Sequence, residues 1–429
     1  MKYQPVKGTK DFPPEEARVR QKVLDTLKNV FETFGFQPLE TSSLESWEVL
    51  SAKKSGGPEV LKETYNFKDK SGRRIGLIYD LTVPLARFVA CNPDLPLPFK
   101  RYQIQRVWRY GDVARGRLRE FLQCDIDTVG SESMLADAEI IVCAVTALEK
   151  LGFEDFTVRL NNRKVLASLV EKAGVCKEKV VDVLRALDKL DKIGTEGVKE
   201  ELKRLKVAKQ VVEFLLDVVG IRGSSEEVLS YLEKTVGTIQ GVTELRELVG
   251  FLIAVGIADK VRIDLSLARG LDYYTGPIFE ISTGKGIGSI AGGGRYDDLI
   301  SIFSGRKVPA TGISFGIERI LEVMKDRKVD TAKRGICVFV AAVNDEVRVD
   351  ALKLVCKLRK ACISAELDVK KRNLARQLEY ADALGIPFVA IVGKKELEGG
   401  LVKLRDMKAR KETEVKVEDL TKILGERCP

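Results

Sequence analysis

The chain has 429 residues, 45% hydrophobic and 31% charged, with a net charge of +9, eight cysteines and no histidine. This length predicts two or three domains of a soluble globular protein, and no apolar run approaches a membrane span or the core of a secretory signal. The missing histidine excludes imidazole acid–base catalysis, Ser-His-Asp triads, Cys-His pairs and HExxH metal sites, and without a CxxC pair nothing points to zinc. The expectation is a reducing cytoplasm, no structural metal, and chemistry resting on carboxylates, arginines, lysines, tyrosines, thiols or positioning.

Residues 15–34 carry Val19, Val23, Leu24, Leu27, Val30, Phe31 and Phe34 on one stripe, which predicts an amphipathic helix ending at Gly35. From Phe36 to Ile126 the runs YNFKD, KSGRRIGLIYD, FKRYQIQRVWRYGD and REFLQCDID are short and separated by turn residues, the pattern of an antiparallel sheet. A helix is expected from Met134 to Leu151. Residues 163–257 then read as an all-helical insertion, with RKVLASLVEKAG, EKVVDVLRALDKL and KQVVEFLLDVVG closed by glycine or charged turns. Strand character returns with VRIDLSLARGLDYYTGPIFEIS and runs on through GKGIGSIAGGGRYDDLI, so residues 1–325 are expected to form one catalytic unit with a helical excursion. After the polar linker KDRKVDTAKR, strands and helices alternate, predicting a separate α/β domain over 333–429. The fold class expected is therefore α+β, an antiparallel sheet core with a helical insertion plus a C-terminal α/β domain.

Positive charge is concentrated in two places. From Lys333 onward there are 21 Lys and Arg against 15 Asp and Glu, and residues 100–119 hold seven Lys and Arg against one Asp. Such clusters suit phosphates, in nucleic acid or nucleotide, and equally a solvated surface. Within the second cluster, Arg109 and Arg117 flank the loop YGDVARG, where planar guanidinium forks suit phosphate oxygens.

Arg319, in FGIERI, lies just inside a predicted helix, where a surface ion pair and a triphosphate contact are both open. GGGR at 292–295 reads as a tight turn ahead of a phosphate cradle. YDLTVPLAR places Asp80 and Thr82 on one face of an expected strand ended by Pro84. LARGLDYYTGPIFE, residues 267–280, reads as a strand loaded with Arg269, Asp272, Tyr273 and Tyr274, tied to the core by Leu271, Ile278 and Phe279. Asp127 in QCDID is one more carboxylate among apolar neighbours, two residues from Asp125 and four from Gln123.

VWR at a strand end, RGRLREFLQCDID, LARGLDYYTGPIFE, GGGRYDDL and FGIERI together resemble the histidyl-tRNA synthetases, a family of class II aminoacyl-tRNA synthetases. The resemblance spans essentially the whole chain, and REFLQCD is closer to the archaeal and eukaryotic branch. It implies a class II catalytic core, an anticodon-binding C-terminal domain, a homodimer, ATP as substrate with Mg²⁺, and histidine and its tRNA as partners.

The resemblance also implies residue roles. Arg109 and Arg269 are the catalytic arginines at the α-phosphate. Arg117 and Arg319 join Arg109 in binding ATP. Asp80, Thr82 and Gln123 hold the amino group of histidine, while Asp127 and Tyr274 grip its imidazole with Tyr273 beside them, and Arg269 also faces the bound histidine. Two departures accompany it: Ser42 stands where the class usually has a proline, with Pro38 nearby, and Gly111 followed by Asp112 replaces the usual acidic adenine contact. Three alternatives are weighed against this reading. They are a non-catalytic regulatory subunit of histidine biosynthesis that partners ATP phosphoribosyltransferase, a class II synthetase for another amino acid, and a nucleic-acid-binding module without activity.

Overall fold

The computed structural model describes residues 3–52, 58–269, 273–284, 288–327 and 335–427. The chain divides into two compact units, Met1–Val329 and Asp330–Pro429. Among the described residues no helix is long and apolar enough to cross a membrane.

The first unit is organised by an eight-stranded sheet. Its strands lie in the order Gln37–Pro38, Phe99–Trp108, Glu120–Val129, Ala310–Gly316, Ser289–Arg295, Pro277–Ser282, Thr157–Asn162 and Val261–Ile263. The pairings are antiparallel except the first and the last. Strands before and after residues 163–257 thus share one sheet.

Alternation along the strands sorts the side chains by face. Cys124 and Ile126 point into the main core, where they meet the helices Pro14–Thr33 and Met134–Lys150. Gln123, Asp125 and Asp127 point the other way. The segment 163–257 folds into helices from Arg163–Lys172 to Gln240–Ala254. Val165, Leu169, Leu245 and Leu248 join the main core, and Val183, Leu184, Val198 and Leu215 form a second cluster with Leu267 and Ile278.

Several local readings are corrected. YDLTVPLAR is not a strand: Thr82–Cys91 is a helix, and the Asp80 carboxylate accepts a hydrogen bond from Val83 N–H at 3.1 Å. Pro84 falls in the first turn of that helix, where its missing N–H costs nothing. LARGLDYYTGPIFE is strand only from Pro277, while Leu271 and Asp272 lie outside the described residues. GGGR is no turn but the second half of the strand Ser289–Arg295. Of the early strands, Leu44–Ser46, Asn66–Lys68 and Arg74–Leu77 form a separate three-stranded sheet.

The second unit is a five-stranded sheet in the order Ala365–Leu367, Val338–Ala342, Phe388–Val392, Leu401–Asp406 and Lys411–Lys416. The first three strands are parallel and the last two antiparallel. The helices Arg348–Lys360 and Leu374–Ala383 supply the alternation read from sequence. The final hairpin escaped that reading because Lys411–Lys416 buries only Val415. Cys337 is disulfide-bonded.

Candidate active site

The structure places Asp80, Thr82, Arg109, Arg117, Gln123, Asp127, Arg269, Tyr273, Tyr274 and Arg319 around one cavity of about 390 Å³ in the first unit. Its floor is the face of the sheet opposite the main core. The hairpin Phe99–Trp108/Glu120–Val129 supplies Gln123, Asp125 and Asp127, and its loop supplies Gly111 and Arg117. The strand Ala310–Gly316 leads into the helix Ile317–Asp326, which carries Arg319 on its first turn.

One end of the cavity is cationic. Arg109 Nε donates to the Tyr79 carbonyl at 2.8 Å, and its guanidinium lies over the Phe121 ring, 5.4 Å from the centroid. Arg319 Nη1 donates to the Ser289 carbonyl at 2.6 Å. Arg269 pairs with Glu280 and donates to Ser289 Oγ at 3.3 Å. It lies so close to the strand Ser289–Arg295 that a Cβ at Gly292 would strike its guanidinium, which explains a glycine there better than a turn does.

Among the described residues, Arg109, Arg117 and Arg319 have no carboxylate partner. The four guanidiniums feel one another. Burial, then Arg269, Arg117 and Arg109, hold Arg319 below the ordinary arginine value, an arrangement that a bound anion relieves.

The other end is acidic. Asp80, Asp125 and Asp127 are all buried. Burial pushes Asp80 up to about 6 against the pull of Arg109, and Asp125 up to about 7 against the pull of Arg101. Asp127 is also raised by burial, opposed by Arg101 and by a hydrogen bond from the Tyr296 hydroxyl. Gly312 lets the Asp127 carboxylate sit against the neighbouring strand, since a Cβ there would collide with it. Tyr273 and Tyr274 close the wall with ring centroids 4.5 Å apart and hydroxyls at 3.4 Å.

Four residues of this arrangement were not singled out from sequence. Arg101 is fully buried, its Nη2 2.8 Å from Asp127 Oδ2, and Nη2 also donates to the Leu81 carbonyl at 3.2 Å. Asp125 shares a strand face with Gln123 and Asp127, a signal that period-two alternation carries. Glu280 holds both Arg269 and Arg159, the latter at 3.2 Å. Tyr296 follows GGGR and has no periodic signal.

Elsewhere, Gly111 lines the cavity while Asp112 is exposed. Arg115 is tied to Glu322 at 2.8 Å and Asp326 at 2.6 Å. Ser42 Oγ accepts from Leu44 N–H, and Pro38 pairs with Tyr102 at the edge of the sheet.

The histidyl-tRNA synthetase family profile matches residues 8–320, and an anticodon binding domain profile matches residues 337–427. A histidine–tRNA ligase of Aeropyrum pernix is 43% identical over 404 residues, covering 93% of this chain and 92% of the relative. One from Korarchaeum cryptofilum is 40% identical and covers 98% of both chains. The crystal structure of histidyl-tRNA synthetase from Nostoc sp. PCC 7120 superposes with a TM-score of 0.87 at 32% identity, covering 100% of both chains. The chain belongs to the histidyl-tRNA synthetase family.

Proposed function

We propose that the protein joins histidine to its tRNA in two steps, adenylation by ATP and transfer to the tRNA 3′ end. The observation that carries this reading is the polarity of this cavity: at one end guanidiniums of which, among the described residues, only Arg269 has a carboxylate partner, and at the other buried carboxylates. A zwitterionic amino acid lies across such a field with its carboxylate toward the arginines and its ammonium toward the acids.

In the first step the carboxylate attacks the α-phosphorus of ATP and pyrophosphate leaves. The nucleophile is already ionised at neutral pH, so no general base is needed and the absence of histidine is no handicap. Arg109 and Arg269 stabilise the charge that develops at the α-phosphate, while Arg117 and Arg319 hold the outgoing phosphates. Asp80, Thr82 and Gln123 take the ammonium. Asp127 and Tyr274 address the two imidazole nitrogens, with Tyr273 as the wall beside them. A site that pairs both nitrogens rejects analogues lacking one, by roughly 10⁴ or more, without an editing domain.

Among the described residues no group of three or more Asp, Glu or Cys side chains is placed to cage a metal. Glu280 and Glu318 are committed to Arg269 and Arg20. Mg²⁺ is assigned, from the family resemblance, to the phosphates of ATP, whose charge it would neutralise when bound, and no step is routed through it. Residues 333–429 are read as the anticodon-binding part. A cytoplasmic homodimer is the form the family resemblance implies, and sedimentation at micromolar concentration checks the dimer.

The regulatory-subunit alternative is not favoured. Arg109, Arg269 and Arg319 all line the cavity, and relatives named histidine–tRNA ligase match nearly the whole chain. ATP–pyrophosphate exchange with each of the twenty amino acids tests the reading. Exchange with histidine alone is expected, and exchange stimulated by another amino acid, or by none, overturns it.

A further inference from the structure

The acidic end of the cavity holds more unmet acceptors than the assignments above use. Asp125 is 3% exposed and lines the cavity; the Ser314 hydroxyl bonds to its carboxyl group, while among the described residues its Oδ1 has no hydrogen-bond partner. Two residues away on the same strand face, Gln123 Oε1 is also without a partner, while Gln123 Nε2 donates to Ser314 Oγ at 3.0 Å. Register sets Asp125 opposite Gln103 on one side and Ser314 on the other, and Arg101 opposite Asp127.

The charged and titratable groups facing Asp125 are Arg101, Asp127, Asp80 and Tyr274. Arg101 is engaged with Asp127 at 2.8 Å and Arg109 pulls on Asp80, so among the described residues no cation pairs with Asp125. A buried acceptor left bare costs free energy, and a group of this composition is completed by a compact cation with several N–H donors.

We propose that Asp125 is a further anchor for the ammonium group of the amino acid substrate, and that it gives up a proton to solvent when that ammonium binds. Oδ1 of Asp125 and Oε1 of Gln123 join Asp80 and Thr82 as acceptors around the three ammonium N–H donors. In the empty site burial keeps the Asp125 carboxyl half-protonated near about pH 7, and the arriving positive charge favours its ionised form. The inference rests on the histidine-activating reading of the same cavity.

Calorimetry of L-histidine binding to the full chain, in buffers of different ionisation enthalpy, counts the protons released. At about pH 6 the wild type is expected to release close to one proton more than Asp125→Asn, because the free carboxyl is mostly protonated there. Protons lost by the imidazole of the ligand cancel in that difference. L-histidinol, which keeps the ammonium, is expected to show the same excess, and 3-(imidazol-4-yl)propionate, which lacks it, none. Equal proton counts for wild type and Asp125→Asn, or an excess that persists with the propionate, overturn the proposal.

A second measurement needs no variant. Infrared difference spectra of the wild type at the same pH are expected to lose a protonated-carboxyl band when histidine binds, and an unchanged band overturns the proposal. Histidine-dependent pyrophosphate exchange separates the two levels. With exchange intact, equal proton counts sink this inference alone, whereas failure to bind or activate histidine sinks the function reading with it.

Discussion

The two ends of the cavity solve opposite electrostatic problems by different means. At the cationic end Arg109 and Arg319 are steadied by backbone carbonyls, and among the described residues neither they nor Arg117 have a carboxylate partner, which leaves their charge available. At the acidic end Arg101 is fully buried beneath Asp127, and the carboxylates are held partly toward their neutral forms by desolvation. Arginine keeps its proton even when crowded, whereas a buried carboxyl yields its charge within the physiological pH range. A cluster of arginines therefore stores a field, and a cluster of buried acids adjusts its charge to what binds.

The contrast can be broken from either end. Arg101→Leu strands Asp127 without its cation in a buried site and is expected to cost about 3–5 kcal/mol of stability, read by urea unfolding. A loss no larger than that of an exposed pair would remove Arg101 from the foundation of the acidic end. Arg269→Ala is expected to slow adenylate formation by roughly 10²–10³ while weakening histidine binding far less, as single-turnover kinetics and calorimetry can separate. Equal losses in both would make the residue a substrate anchor only. Arg319→Ala is expected to raise KM for ATP by about tenfold to a hundredfold with histidine affinity unchanged. An effect on histidine rather than ATP would reverse the polarity assigned to the cavity.

Smaller effects sharpen the comparison. The Asp125 carboxyl sits at about 7 in the fold and at about 3.9 in the unfolded chain. The unfolded state thus releases this proton first, and ionisation costs the fold stability progressively as pH rises from about 4 to about 7. The Tm of Asp125→Asn relative to wild type should climb across that window in the absence of ligand, and a flat difference would contradict the burial argument. At the lower limit, Arg115→Ala removes exposed pairs to Glu322 and Asp326 and should leave Tm and the exchange rate unchanged. A loss of exchange comparable to that at Arg319 would mean the hairpin loop depends on that tether.

What could be read before folding follows from periodicity. The helix Pro14–Thr33 announced itself by its stripe, and the long hairpin by its alternation. In the second unit the strands Val338–Ala342 and Phe388–Val392 were visible because each buries a continuous apolar run, while the polar edge Lys411–Lys416 was not. Two failures near the cavity share a cause. YDLTVPLAR and GGGR were judged by their proline and glycines, yet Asp80 receives the Val83 N–H at a helix start, and the glycines make room for Arg269 and the adjoining strands. Local propensity cannot register a side chain arriving from a distant segment.

By itself the sequence determined the residue types, the strand and helix periods that give Gln123, Asp125 and Asp127 a common face, and the motifs that carry the family resemblance. It also determined that imidazole chemistry is absent. The tertiary structure decided that residues as far apart as Asp80 and Arg319 enclose one cavity, that Arg101 lies under Asp127, and that Asp125 and Gln123 line the cavity while each keeps a buried acceptor unpartnered among the described residues. Alternation is a property of a strand alone, but burial and charge partnership are set by which strands and loops meet, and these two properties tune the acids of the cavity.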